Sequence, residues 1–276
     1  MGSAGQDQAR AALRAAGERT AGLIAGIPDL DLAVPRSQWT VGQVAAHLLV
    51  GLRGYTAAAR DAIGPEWTIH IPDTPLYSER VAAITASTLR AEPRRDAVTM
   101  ASMLREAVEA FLAATGNRAA DEPIPAPWYA DGLTLPLFDA TCLLLGEQVF
   151  HGYDIAGALG RPWPIDRADA GLIFQAMTTM MPLAVNPEAA RGAAVAYDVR
   201  LRRGPRAVIT IDKGSARVEP WASQPVDCHL SADPVALMLV GYGRIDQWRV
   251  IARGQLLAWG RKPWAALRLR SFFFDP

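Results

Sequence analysis

Glu147 and His151 stand four residues apart in Leu144-Leu145-Gly146-Glu147-Gln148-Val149-Phe150-His151. Four residues turn about 400° around an α-helix, so the carboxylate and the imidazole leave one face, roughly 6 Å apart at Cβ. In so apolar a stretch the pair is costly, because a buried carboxylate must be paired or coordinated to repay its lost hydration. Two arrangements satisfy it: a plain Glu–His ion pair on a half-buried helix, or a divalent cation shared by both groups. A third ligand would separate them, and His47 is the candidate. It lies in Trp39-Thr40-Val41-Gly42-Gln43-Val44-Ala45-Ala46-His47-Leu48-Leu49, where Thr40 and Gln43 match a capping box. The box starts a helix and places His47 about two turns in, beside Val44, Ala45 and Leu48. A lone histidine on an apolar face is usually a satisfied core residue. These three, however, are the strongly metal-capable groups of the two most apolar helical segments. Two histidines, a glutamate and a vacant fourth position form a catalytic type of Zn2+ site, since structural sites close all four positions, usually with cysteine. Cys142 and Cys228 are the only cysteines, which excludes a four-cysteine site.

The elements that must position these groups follow from periodicity. Residues 5–26, 41–62, 94–115 and 137–159 carry helical patterning, and four long helices with long connections predict a bundle. Segments 64–75 and 121–136, rich in proline and aromatics and holding Trp67, Trp128 and Tyr129, read as ordered loops over one bundle end, with or without a ligand beneath them. Gly160-Arg161-Pro162-Trp163-Pro164 stops the fourth helix and marks a domain boundary. Asp166 can cap a further helix to about 181. Val195, Tyr197, Val199 and Leu201 then alternate in strand period, Gly204-Pro205 turns the chain, and Val208, Ile209 and Ile211 begin a return strand. The expected fold class is α plus α+β: a metal-binding four-helix bundle over 1–162 and a smaller α+β domain over 163–276.

Composition narrows the partners. The 276 residues include 28 Lys+Arg against 28 Asp+Glu, a formal net charge of +0, without the basic excess of a nucleic-acid binder. No apolar run reaches the roughly 18 residues of a membrane span, because Asp139 and Glu147 interrupt the best candidate. Two distant cysteines and no leader pattern at the N-terminus suit a reducing cytoplasm. Cys142 reads as a small core residue on the metal-bearing helix and Cys228 as a strand residue. Lys213 and Lys262 are the only lysines among the basic residues, a bias of GC-rich genomes that fits an actinobacterial source. The expected state is a monomer or weak homodimer.

The two motifs together, Trp39 to Leu48 and then Glu147-Gln148-Val149-Phe150-His151-Gly152-Tyr153-Asp154-Ile155-Ala156, resemble the mycothiol-dependent maleylpyruvate isomerase family of the DinB-like superfamily. The resemblance implies that His47, Glu147 and His151 bind zinc and that mycothiol is the thiol cosubstrate. Tyr153 stands where the family has tryptophan, which leaves the ligands untouched. Ala232-Asp233-Pro234-Val235-Ala236-Leu237-Met238-Leu239-Val240-Gly241-Tyr242-Gly243-Arg244 resembles the family's sterol-carrier-like C-terminal domain, implying a catalytic role for Arg244. Arg261, in Trp259-Gly260-Arg261-Lys262-Pro263-Trp264, is its rival. Asp154, nearly one turn beyond His151, could orient the imidazole or simply close the helix end. His70 and His229 lack partners at ligand spacing and read as non-catalytic.

The open position of such a site can take water or a thiol and lower its pKa. The leading expectation is therefore a zinc enzyme that uses a small thiol to isomerise or S-conjugate a small electrophile. An arginine would hold a substrate carboxylate or a developing enolate. A hydrolase acting through zinc-bound water would need a further general base that the motifs do not supply. A metal-stabilised ligand-binding or regulatory protein is the alternative outside catalysis.

Overall fold

In the computed structural model, which describes residues 3–91 and 96–274, α1 (Ser3–Ala25) leads into α2 (Val41–Ala59), the helix of His47. Gln43 N–H donates to Thr40 Oγ1 at 3.3 Å, and Thr40 N–H donates to Gln43 Oε1 at 2.9 Å. That reciprocal pair satisfies orphan donors at the helix start, as the capping box requires. After a 3-10 turn at Pro65–Trp67 comes α3 (Tyr77–Ala91), a helix outside those expected. Its apolar and polar residues do segregate at helical spacing, so the signal was present in the sequence. It packs on α2.

Asp96 caps α4 (Ala97–Ala114) by accepting from Thr99 N–H at 2.9 Å. Positions 94 and 95 of the expected third helix lie outside the described residues. Segment 121–136 is ordered as a small hairpin, β1 (Pro123–Pro125) against β2 (Thr134–Pro136), with Ile124 and Leu135 paired and buried at its centre. The final helix of this part, α5 (Leu137–Ala158), is apolar nearly all round and sits in the core, the signature of a central rather than a surface helix. It packs against α1, which also lies on α4, while α2 lies on α4 and more lightly on α5. Between α1 and α5 the buried Gln6 Nε2 donates to Thr141 Oγ1 at 3.2 Å and Thr20 Oγ1 donates to Gln148 O at 3.0 Å.

Gly160 ends α5 in the left-handed region at φ 62°. Arg161 N–H donates to Ala156 O at 2.9 Å and Gly160 N–H to Gly157 O at 3.2 Å, the Schellman pairing that closes a helix on glycine. Trp163 then folds back: its indole N–H donates to Val149 O at 2.9 Å, and its ring covers Gly152 so closely that a Cβ there would lie 2.2 Å from it. The glycine beside His151 is thus demanded by packing.

The chain divides into two compact units, Met1–Pro164 and Ile165–Pro276. In the second, Asp166 caps α6 (Arg167–Ala184), its side chain accepting from Ala168 N–H at 2.6 Å. A short α7 (Pro187–Ala190) precedes β3 (Ala194–Leu201), β4 (Arg206–Asp212), β5 (Ser215–Pro220) and β6 (Cys228–Ala232). Then come α8 (Pro234–Gly241), α9 (Gln247–Ala252) and β7 (Leu256–Trp259). The sheet order is β5-β4-β3-β6-β7. β3 to β5 form an antiparallel meander, β6 runs parallel to β3, and β7 returns antiparallel to β6. Tyr197, Val199 and Leu201 are buried on alternate positions of β3, as the strand period predicts. The fold class is thus helical followed by α+β. None of the described helices is long and apolar enough to cross a membrane.

Candidate metal centre

His47 on α2 and the Glu147–His151 pair on α5 meet within the first unit. His47 Nε2 lies 3.1 Å from Glu147 Oε2, and His151 Nε2 lies 3.3 Å from the same oxygen. The three donor atoms fall within 4.8 Å of one another, and no other set of three such groups does so among the described residues. Donors at about 2.0–2.1 Å from a tetrahedral zinc ion are roughly 3.3 Å apart, so these separations suit one shared cation. The same-face geometry of Glu147 and His151 follows from helical period alone. The approach of His47 across 100 residues does not.

Exposure grades the site. The side chains of His47 and His151 are 20% and 15% exposed, while Glu147 keeps 43%, so the cluster opens on its carboxylate side. Both imidazoles place Nδ1 in the interior without a hydrogen-bond partner among the described residues. His151 Nδ1 does have the Asp154 carboxylate 3.4 Å away, close enough to favour a proton on Nδ1 and leave Nε2 as the donor atom. Trp39, just ahead of the Thr40 cap, lies against both rings, 5.2 Å from His47 and 6.0 Å from His151 between centroids. Burial opposes ionisation of Glu147, but His151 and His47 outweigh it and hold the carboxyl well below its usual range. Burial likewise opposes charge on His151, yet Asp154 and Glu147 prevail and push it up to about 9. Without a cation, then, the cluster is an ion pair; two imidazole nitrogens, one carboxylate oxygen and an open side also fit a divalent transition metal.

A group of aromatic rings packs together in the same unit. Tyr55, further along α2 from His47, shares a hydrogen bond between hydroxyls with Tyr129 at 3.2 Å. Trp128 stands edge-on to Tyr55 at 4.9 Å, and Tyr77 stacks on Tyr129 at 5.7 Å. Burial first, and the charge of Glu147 among lesser causes, raises the hydroxyls of Tyr55, Tyr77 and Tyr129. Trp128 and Tyr129 were visible in sequence as residues of an aromatic loop. Tyr55 had a signal that went unused, its position about two turns beyond His47 on one helix. Trp39 was visible as the first residue of the Trp39 to Leu48 motif, without a role of its own, and Tyr77 had no signal.

The remaining candidates fall elsewhere. Arg244 follows α8 through Gly243 at φ 70°; its Nη1 donates to Tyr242 O at 2.7 Å, and its N–H donates to Leu239 O at 2.8 Å. Arg261 pairs with Asp227 through Nε at 3.0 Å and through Nη2, and Lys262 adds a contact at 3.3 Å. His229 does have a partner, Asp198, whose Oδ2 lies 2.8 Å from Nδ1 across the parallel β3–β6 pair; its ring stacks on Trp259 at 5.4 Å. His70 is exposed. Cys142 and Cys228 are buried free thiols, and burial pushes both up.

A sequence model of the mycothiol maleylpyruvate isomerase N-terminal domain matches residues 13–156. No curated protein matches the chain. Among solved structures, that of a mycothiol-dependent maleylpyruvate isomerase is similar over 92% of each chain, with 12% identity and a TM-score of 0.50. A histidine-to-alanine mutant of such an isomerase gives 11% identity, the same coverage and the same TM-score. At those identities the likeness is one of fold. A sterol carrier protein 2 from Yarrowia lipolytica aligns with 36% of this chain and 84% of its own, at 17% identity and a TM-score of 0.23, too low to establish a shared fold for the second unit.

Proposed function

We propose that this chain, which belongs to the mycothiol maleylpyruvate isomerase N-terminal domain family, is a metal-dependent enzyme that uses a small thiol, mycothiol, to isomerise or S-conjugate a small electrophile. The observation that carries the reading is the convergence of His47, Glu147 and His151 on one point, open on the Glu147 side and with Trp39 packed against both imidazoles. These three side chains would hold the ion, with zinc the first choice for an N2O donor set. A divalent cation there supplies the acidity that keeps a bound thiol ionised, and so nucleophilic, at neutral pH.

The protein's own groups do the rest. Asp154 holds His151 in the tautomer that offers Nε2, and Trp39 packs both imidazoles in place. The aromatic group of Tyr55, Tyr77, Trp128 and Tyr129 offers flat apolar faces to an unsaturated substrate. Arg244 is our choice for the group that holds a substrate carboxylate, since a guanidinium fork matches the two oxygens of a carboxylate.

The test is turnover of maleylpyruvate by the full chain against added mycothiol, with and without a chelator. A first-order rise from zero thiol, lost on chelation and restored by zinc, is the expected result. Full turnover without thiol would instead indicate a hydrolase and overturn the reading. Arg244→Leu should lower turnover about tenfold or more while leaving metal content unchanged.

A further inference from the structure

The two imidazoles of the cluster are held by different means. His151 Nδ1 faces the Asp154 carboxylate at 3.4 Å, whereas His47 Nδ1 is buried with no hydrogen-bond partner among the described residues. A histidine that ligates through Nε2 ordinarily gives its Nδ1–H to a carboxylate or a carbonyl, and that bond fixes the ring. Without it the imidazole turns about a broad, roughly two-fold torsion, so no polar tether aims His47 Nε2 from behind. Ring contacts supply the restraint instead. Trp39 lies 5.2 Å from His47 between centroids at 54°, and His151 meets the same ring edge-on at 5.2 Å and 75°. His151 is itself a member of the cluster, so Trp39 is the ring that restrains His47 from outside the donor set. The indole also stacks on His151 at 6.0 Å and 21°, so one side chain spans a donor of α2 and a donor of α5. These are separations at which aromatic pairs interact.

A pinned backbone places the indole in turn. Trp39 N–H donates to Ser37 Oγ at 3.1 Å, and Trp39 O accepts from Val34 N–H at 2.9 Å. The next residue, Thr40, caps α2 and bridges to Ala33, while Val41 and Gly42 donate N–H bonds to Leu32 O and Leu30 O at 2.9 and 2.8 Å. Segment 30–42 thus closes on itself ahead of α2, and a shift of Trp39 would break bonds on both sides of it.

We propose that Trp39 is a positioning residue that sets the ring angle of His47, doing by ring contact what Asp154 does for His151; this rests on the metal reading above. His47 is then the conditional ligand. The site closes to three donors only while the indole is seated, and segment 30–42 governs how tightly a cation is held.

The experiment is equilibrium binding of Co2+ to the full chain by competition with a chelator, Co2+ standing in for zinc because its visible absorbance reports coordination. It compares wild type with Trp39→Leu, His47→Ala and the double variant, a cycle that separates an effect through His47 from general loosening. Trp39→Leu is expected to weaken Co2+ binding about 10- to 100-fold, and His47→Ala by at least as much. In the His47→Ala background Trp39→Leu should add less than about threefold, since the ring it positions is gone. Trp39→Phe, which keeps an aromatic face, should recover most of the affinity, and its own cycle with His47→Ala carries the test if the leucine variant does not fold. Wild-type affinity in Trp39→Leu, or losses that simply add in the double variant, overturns the proposal and leaves the metal reading standing. Wild type that binds no Co2+ removes the metal reading and this proposal together.

Discussion

Two carboxylates, each gripped by histidine, meet different ends in this molecule. Asp198 on β3 has a side chain 4% exposed; Arg206 donates to both of its oxygens at 2.6 Å, and His229 Nδ1 lies 2.8 Å from Oδ2. Every strong donor it needs comes from the protein, and the Arg206 guanidinium is itself covered by Trp221 at 4.0 Å. Glu147 has two imidazoles on a single oxygen, stays 43% exposed, and pairs with no guanidinium among the described residues. The first carboxylate is electrostatically complete, while the second is arranged around a point that further positive charge can occupy. A histidine beside a carboxylate is therefore not informative until the other donors are counted.

The comparison breaks most visibly at His151. His151→Ala should leave less than about a tenth of the metal bound and abolish thiol-dependent turnover, because two remaining ligands hold zinc poorly. Elemental analysis of the purified variant checks this, and full occupancy would remove the distinction between the two clusters. Asp198→Ala should do the reverse, costing about 2 kcal/mol in urea unfolding through the loss of a buried ion pair while metal content stays at the wild-type level.

Acidity sharpens the contrast. In metal-free protein His151 is pushed from 6.5 up to about 9. A raised folded pKa contributes stability that is fully present below about 6.5 and fades as pH rises through 9, a loss on the order of 3 kcal/mol. Metal-loaded protein should show the opposite trend at this site, since acid protonates the ligands and releases the ion. Thermal unfolding of both forms across pH 6 to 10 measures it, and parallel curves would mean that the histidines are not the ligands. The smallest effect belongs to His70, which is exposed; His70→Ala should leave stability within about 0.5 kcal/mol and metal content unchanged by elemental analysis.

Much of the helical framework was legible from short-range chemistry. Thr40 with Gln43 marks the start of α2 because a cap acts within one turn, and Gly160 marks the end of α5 because a left-handed residue is cheapest at glycine. α3 carried its own amphipathic period and was missed all the same, while its place against α2 is set by packing. His229 was set aside for want of a neighbour at ligand spacing. Its partner Asp198 arrives through a parallel strand pairing that no local pattern announces.

By itself the sequence determined that Glu147 and His151 share a helix face, that His47 sits early in a capped apolar helix, and that strand alternation begins near Val195. Those features depend on backbone period and on hydrogen bonds spanning a few residues. Only the tertiary structure decided that His47 Nε2 lies 3.1 Å from Glu147, that Arg80 clamps the chain around Tyr129, and that Asp198 is saturated by Arg206 and His229. Each depends on the rotation of one element against another, which many small packing terms set together and no short stretch of sequence encodes.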